Sequence, residues 1–394
     1  MLSDRIGNIA PSATHAMTAR VAALRAAGEQ VFAFHVGEPD FPTPQPIVEA
    51  CVRALREGMT KYTPTSGIEP LRRAICDKLA RENGLHYSPE QICVSAGAKQ
   101  ALSNALFALC SAGDEVLIPT PCYVSYAELV KLAGGVPVCV PTGADFQLDL
   151  DALRAAVTPR TKLILLNSPN NPSGAVYSRA SLVALGELAV ERGLYVISDE
   201  VYEKLVYDGA EHVSIASLSD ELYARTVVVN GFSKTFAMTG WRLGYSASSA
   251  AIRAACDAFQ GHMSSCANSF GQVAAMTALS DCAAETEAMR RAFAARREKM
   301  YAALTAMPGI RCALPQGAFY LLPDVTATFG KRFGDRVIAS GADLCAYLLD
   351  EAHVAAVAGE AFRAPGTIRL AYTCSPELIE EGMARMAEAL NKLE

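Results

Sequence analysis

Short runs of consecutive apolar residues recur along this chain, and each ends in a cluster of glycine, proline, asparagine or acid. They lie at 91–95, 115–119, 136–140, 162–166, 194–198, 226–231 and 243–247. Because the apolar positions are consecutive rather than alternating, these read as strands buried on both faces. Between most of them lie longer stretches with helical spacing, at 46–58, 69–82, 101–110, 149–157 and 179–192. The alternation predicts an α/β fold, a three-layer α/β/α large domain around a seven-stranded, mostly parallel sheet. Ahead of it stand a helix at 14–30, stopped by Gly28, and a strand in 32–41 that runs into a Gly/Pro-rich loop. From about residue 285 the pattern changes. A long charged helix (285–306), a strand (317–322), a helix (341–351), a strand (366–372) and an amphipathic helix (376–392) describe a smaller α+β domain. The expected division is residues 1–45 packing with the small domain, 46–284 as the large domain and 285–394 as the small one. There is no internal repeat and no low-complexity linker.

Composition narrows the chemistry. Hydrophobic residues make up 51% of the 394 and charged residues 19%, which is ordinary for a globular protein. The net charge of −6 and the lack of a basic block argue against nucleic acid as a partner. The apolar runs are too short for a membrane helix, so no membrane role is expected. The N-terminus has no apolar core of a signal peptide, and the twelve cysteines show no CxxC spacing. Both point to a reducing, cytoplasmic setting. The six histidines are isolated, so no metal site is expected.

The candidate chemistry gathers at strand ends, where open α/β sheets bind ligands. After the run 226–231 comes Ser233-Lys234-Thr235, and then Trp241-Arg242. A loop lysine is by itself most simply a solvated one. Here Ser233 and Arg242 bracket it with a hydroxyl and a guanidinium suited to a phosphate. Nearby cations also lower an amine's pKa, and a neutral amine condenses with an aldehyde. A lysine beside a phosphate cradle suggests pyridoxal 5′-phosphate (PLP). The turn Ala96-Gly97-Ala98-Lys99, between a strand and a helix, offers backbone N–H groups to an anion, although many such turns contain glycine. Asp199 follows four mostly apolar positions; it either caps a turn or faces a charged ligand. Arg369 sits mid-strand among apolar residues, so it needs an anion, either an internal carboxylate or a bound one.

The stretch 233–245 resembles the cofactor-lysine signature of the class I aminotransferases, the fold-type-I PLP enzymes, and the resemblance extends over essentially the whole chain. It implies that Lys234 carries the cofactor covalently and moves the substrate's Cα proton. It implies that Asp199 faces the pyridine nitrogen, that Tyr123 stacks on the ring, and that Asn171 and Tyr202 reach the 3′-oxygen. The phosphate is then held by Gly97, Ala98, Lys99, Ser233 and Arg242. Tyr62 would reach it from the other subunit of a homodimer. Gly37, Asn171 and Arg369 would bind the substrate α-carboxylate. Plain structural alternatives stand beside these: a turn tyrosine for Tyr62, a core aromatic for Tyr123, and a tight turn for 167–174.

Within that family the chain is most similar to a bacterial aspartate aminotransferase branch, through Pro11-Ser12-Ala13-Thr14 and Gly97-Ala98-Lys99-Gln100-Ala101. That implies Lys99 and Thr14, with Ser12, at the substrate's distal carboxylate, L-aspartate as donor, 2-oxoglutarate as acceptor and ping-pong kinetics. Relatives also take prephenate. Aromatic or kynurenine-type transamination, and lyase or oxidase chemistry, are the alternatives on the same scaffold. Three positions depart from the family's pattern: Ala358 before Gly359, Arg363 where glycine is usual, and Cys266 in the stretch 265–267.

Overall fold

The structure, a computed structural model, describes residues 4–11 and 13–394. Seven strands form the central sheet in the order Ile92–Ser95, Gly244–Ala247, Thr226–Gly231, Tyr195–Asp199, Thr161–Asn167, Glu115–Thr120, Val136–Pro141. Only Gly244–Ala247 runs antiparallel to its neighbours. The consecutive apolar runs are explained by the layers. In Thr161–Asn167, Leu163 and Leu165 pack in one cluster with Leu102 and Leu106, while Ile164 and Leu166 pack in another with Leu182 and Leu185. Val227 and Val229 likewise take the face opposite to Val228. Period-two side chains thus bury both faces against helices.

The second region is built on the helix Ala283–Thr305 and a three-stranded antiparallel sheet, Val357–Ala358, Ile368–Ala371 and Tyr320–Leu321. The N-terminal part joins it: Phe32–Ala33 pairs in parallel with Val354–Ala355, and the Ala371 N–H donates to the Phe34 carbonyl.

Several elements differ from the sequence expectations. The strands expected at 317–322 and 366–372 shorten to Tyr320–Leu321 and Ile368–Ala371, and the one in 32–41 to Phe32–Ala33. Ala318 takes a left-handed φ of 57°, which breaks the extended run. The helix expected from 101 begins at Ala98, directly after Gly97, whose φ of 88° turns the chain. The helix expected at 14–30 is Ala13–Ala26. Five further α-helices are present among the described residues, Asp4–Gly7, Ser125–Leu132, Asp220–Arg225, Ala250–Met263 and Ser269–Asp281.

Gln260, on one of them, fixes the turn at 95–98. Its amide donates to the Thr65 and Val94 carbonyls at 2.7 and 2.8 Å and accepts from Ser95 and Asn104 at 2.6 and 2.8 Å. Replacing it leaves several buried groups unpaired. Gln260→Leu is expected to lower unfolding free energy by roughly 2–4 kcal/mol, measured by urea denaturation; a change under about 1 kcal/mol would show that water replaces the amide.

Candidate functional site

A cavity of about 370 Å³ opens at the carboxyl ends of the parallel strands. The structure brings Thr14, Gly37, Ala98, Lys99, Tyr123, Asn171, Asp199, Tyr202, Ser233, Lys234, Arg242 and Arg369 into its wall. Gly97 lies just behind, where a Cβ would meet the Arg242 guanidinium at 2.5 Å. Tyr62 is outside the cavity and 90% exposed. Ser12 lies outside the described residues.

One end of the cavity is a cradle for an anion. The helix Ala98–Leu109 starts with no side-chain cap, so its first N–H groups are left for a ligand. Arg242 bonds only the Thr239 and Ala96 carbonyls, at 2.9 and 3.4 Å, and makes no carboxylate pair among the described residues. Ser233 completes the rim.

Asp199, at the end of its strand, is 5% exposed. Burial raises its pKa to about 6, against the opposing pull of Tyr126, whose hydroxyl donates to Oδ2 at 2.7 Å, and of the Val201 N–H. Asn167 ties this acid to the neighbouring loop: its amide donates to the Asp199 carbonyl at 3.0 Å and accepts from the Asn171 N–H at 2.8 Å. Lys234 Nζ donates to the Gly37 carbonyl at 2.7 Å. Burial lowers the Lys234 pKa to about 8, with Arg369 and Arg242 adding to the fall and Glu38 and Asp199 opposing it.

Arg369 is 2% exposed and forms no salt bridge among the described residues. It donates to Asn171 Oδ1 at 3.1 Å and to the His35 carbonyl at 2.7 Å, and its Nε has no partner. The rings of Tyr320 and Phe362 flank it at 4.6 and 4.8 Å. The internal-carboxylate alternative for this arginine is therefore removed. His35 beside it is neutral: burial first, then Arg369, lowers its pKa to about 4. Gly37 is required sterically, since a Cβ there would collide with the Tyr320 hydroxyl.

These groups fit PLP without rearrangement of roles. An uncapped helix start beside a free guanidinium suits a phosphate. A buried acid with no cationic partner in hydrogen-bond contact suits a protonated ring nitrogen, and a lysine of lowered pKa suits an aldehyde. Sequence reasoning passed over Tyr126, Asn167 and Tyr320, the last bonded to Tyr202 hydroxyl to hydroxyl at 2.8 Å. Tyr126 and Asn167 lie close in sequence to the candidates Tyr123 and Asn171, whereas Tyr320 lies in the strand expected at 317–322, which held no candidate. The signal available for Tyr126 was its position three residues after Tyr123.

The sequence profile of the family described as aminotransferase class I and II matches residues 29–386. The aspartate aminotransferase of Geobacillus stearothermophilus is 45% identical over 391 residues, covering 98% of each chain. The probable aspartate/prephenate aminotransferase of Aquifex aeolicus is 45% identical over 396 residues, covering 100% of this chain and 99% of that one. The solved structure of Thermus thermophilus aspartate aminotransferase with maleate superposes with a TM-score of 0.93 at 40% identity, over 99% of both chains.

The raised pKa of Asp199 has a consequence for stability. Its folded value lies above the ordinary carboxylate value of 3.8. Stability from this group is thus fully present below about pH 4 and lost as pH rises through about 6. In apoprotein, Asp199→Asn is expected to be more stable than wild type by roughly 2–3 kcal/mol at pH 8. That gain should shrink towards pH 4 in urea titrations across pH; a gain independent of pH would contradict it.

Proposed function

The chain belongs to the class I and II aminotransferase family, and from that premise we propose that it transfers the amino group of L-aspartate to 2-oxoglutarate, with PLP as cofactor. Bound in the cavity, PLP supplies an aldehyde that accepts the amino group and a ring that takes up the electron pair left at Cα. Gly97, Ala98, Lys99, Ser233 and Arg242 would hold its phosphate. Asp199, steadied by Tyr126, would hold the ring nitrogen's proton. Tyr123 would pack on the ring, and Asn171 and Tyr202 would serve the 3′-oxygen.

The observation that carries the reading is Arg369, a buried guanidinium with free donors and no carboxylate of its own. It takes the substrate α-carboxylate, with Asn171 beside it and the Gly37 backbone closing the site. Lys234 Nζ, neutral in part near pH 8, removes the proton from the substrate Cα as a general base and returns it as an acid. Lys99, which sits 5.5 Å from the Tyr123 ring centroid, and Thr14 take the distal carboxylate, with Ser12. The maleate bound by the Thermus enzyme is also a dicarboxylate, which supports this assignment.

The reading extends to assembly. A tyrosine 90% exposed beside the turn at 63–67 is poorly placed for a monomer, and Cys266 Sγ lies 3.5 Å from the Thr63 N–H of the same loop. Met263 nearby is 66% exposed. We assign this face to a homodimer in which Tyr62 reaches the neighbouring subunit's phosphate. Residues 1–45, 46–284 and 285–394 are the proposed units, and the cytoplasm the proposed location. Among the described residues no helix is long and apolar enough to cross a membrane.

A second acceptor class, bulkier dicarboxylate 2-oxo acids such as prephenate, is favoured by Arg363. It is exposed, adopts a φ of 60° and makes no ion pair among the described residues. It lines a side cavity of about 300 Å³ that shares Tyr123 and Val124 with the site.

Initial rates with aspartate and 2-oxoglutarate are expected to give parallel double-reciprocal lines; intersecting lines would sink the two-stage scheme. Arg369→Ala should lower kcat/KM for both substrates by about 10²–10⁴-fold, the worth of two charge-assisted hydrogen bonds. Lys99→Ala should lower kcat/KM for aspartate while leaving that for alanine nearly unchanged, and an equal loss for both would remove Lys99 from the distal subsite. Arg363→Gly should lower the rate with prephenate relative to oxaloacetate as amino acceptor.

A further inference from the structure

Tyr320 lies in the short strand Tyr320–Leu321, opposite Ala371, and lines the cavity that holds Lys234. It is 1% exposed and touches three of the groups described above. Its hydroxyl lies 2.8 Å from the Tyr202 hydroxyl. Its ring covers Arg369, with the guanidinium carbon 4.6 Å from the centroid. The same hydroxyl fills the space that a Cβ on Gly37 would occupy, and the Gly37 carbonyl accepts from Lys234 at 2.7 Å. Strand pairing and close packing on these sides hold the hydroxyl against Tyr202.

The protons of this pair point to an acceptor that the protein does not supply. Each hydroxyl carries one proton, and the bond between them uses only one. Neither hydroxyl has another hydrogen-bond partner among the described residues. One buried donor is therefore left for whatever occupies the cavity. The acidities of the two set their order. Burial raises both pKa values. At Tyr320 the charge of Arg369 and the bond to Tyr202 limit the rise to about 12. At Tyr202 the charge and the bond of Tyr320 add to it, so this hydroxyl stays well above its ordinary value. The other titratable groups acting on the pair are Arg369 and Tyr123, and the pair acts in turn on Tyr126 and Tyr372. The more acidic hydroxyl is the better donor, so Tyr320 gives its proton to the Tyr202 oxygen and Tyr202 keeps its own for the cavity. A hydroxyl that accepts one hydrogen bond also donates the next more strongly.

We propose that Tyr320 is a positioning residue for Tyr202: it donates to the Tyr202 oxygen, which aims the Tyr202 proton at the cofactor's 3′-oxygen and strengthens that bond. The inference rests on the reading of this cavity as a PLP site. It ties two parts of the site through one side chain, because the ring that covers Arg369 carries the hydroxyl that serves Tyr202. Hydrogen bonds donated to the 3′-oxygen favour its anionic form, and so lower the pH at which the bound cofactor's absorption band changes. A phenylalanine at 320 keeps the ring against Arg369 and removes only the hydroxyl.

The test is a spectrophotometric pH titration of the PLP-loaded enzyme, comparing wild type with Tyr320→Phe, Tyr202→Phe and the double variant. Tyr202→Phe is expected to raise the midpoint of the band change by about 1–2 units, as loss of a hydrogen bond to a charged group does. Tyr320→Phe is expected to raise it by about 0.5–1 unit, and to add nothing in the Tyr202→Phe background. A tyrosine that only fills space would leave the midpoint in place. The proposal is overturned if Tyr320→Phe leaves the midpoint unchanged, if it lowers it, which would mean that Tyr320 competes for the Tyr202 proton, or if it shifts it equally with and without Tyr202. A shift with Tyr202→Phe alone removes this inference and leaves the PLP reading standing. Absence of a cofactor band in wild type overturns that reading and this inference with it. The titration needs no turnover, so failure of the aspartate assignment would show separately.

Discussion

A guanidinium buried without a counter-ion is the constraint around which this site is built. Arg369 stands on the middle strand of the small sheet, with only a side-chain amide and a main-chain carbonyl to receive its protons. Such a charge is costly unless an anion arrives, and the structure holds it in place from several directions. The N-terminal segment contributes the His35 carbonyl, the loop after the strand Thr161–Asn167 contributes Asn171, and Tyr320 and Phe362 cover the faces of the ion. Any change in how these segments meet moves the arginine relative to Lys234. The site is therefore a property of the joint between the two regions.

The same economy appears at the other pole. Asp199 is buried with a tyrosine hydroxyl and a backbone N–H, neither of which is a cation, and its proton affinity rises accordingly. Lys234 between the two poles is pushed the opposite way, towards the neutral amine. One anion-seeking group, one cation-seeking group and one amine of lowered basicity face a common space. Electrostatics of this kind favour a zwitterionic or multiply charged ligand over water, because low-dielectric surroundings strengthen every pairing once it forms.

Much of this was legible in the sequence because the chemistry sits where strands end. Runs such as 162–166 and 226–231 announce buried strands by their consecutive apolar residues, and the residues just beyond them are the ones in the cavity. The sheet's layers follow from the same runs. Less legible were features set by tertiary packing. The helix Ser269–Asp281 has a diffuse apolar pattern because it is buried on more than one side, and Ala250–Met263 buries only the narrow stripe Ile252, Cys256 and Gln260, one member of which is polar. Tyr126 reaches Asp199 only because a short helix begins at Ser125 and aims its hydroxyl across the sheet. Tyr320 acts on Tyr202 and Arg369 through contacts more than forty residues away in sequence. The short strands Tyr320–Leu321 and Ile368–Ala371 of the small region were expected, but their ends were not, because two to four residues carry too little pattern to mark them.

The most direct measurement is a single half-reaction. Holoenzyme is mixed with excess L-aspartate in the absence of any 2-oxo acid, and oxaloacetate is counted against subunits. One equivalent released per subunit, with turnover resuming only when 2-oxoglutarate is added, is the expected result. Release of no oxaloacetate, or continuous release beyond one equivalent without an acceptor, would contradict the assignment of this site to aspartate transamination.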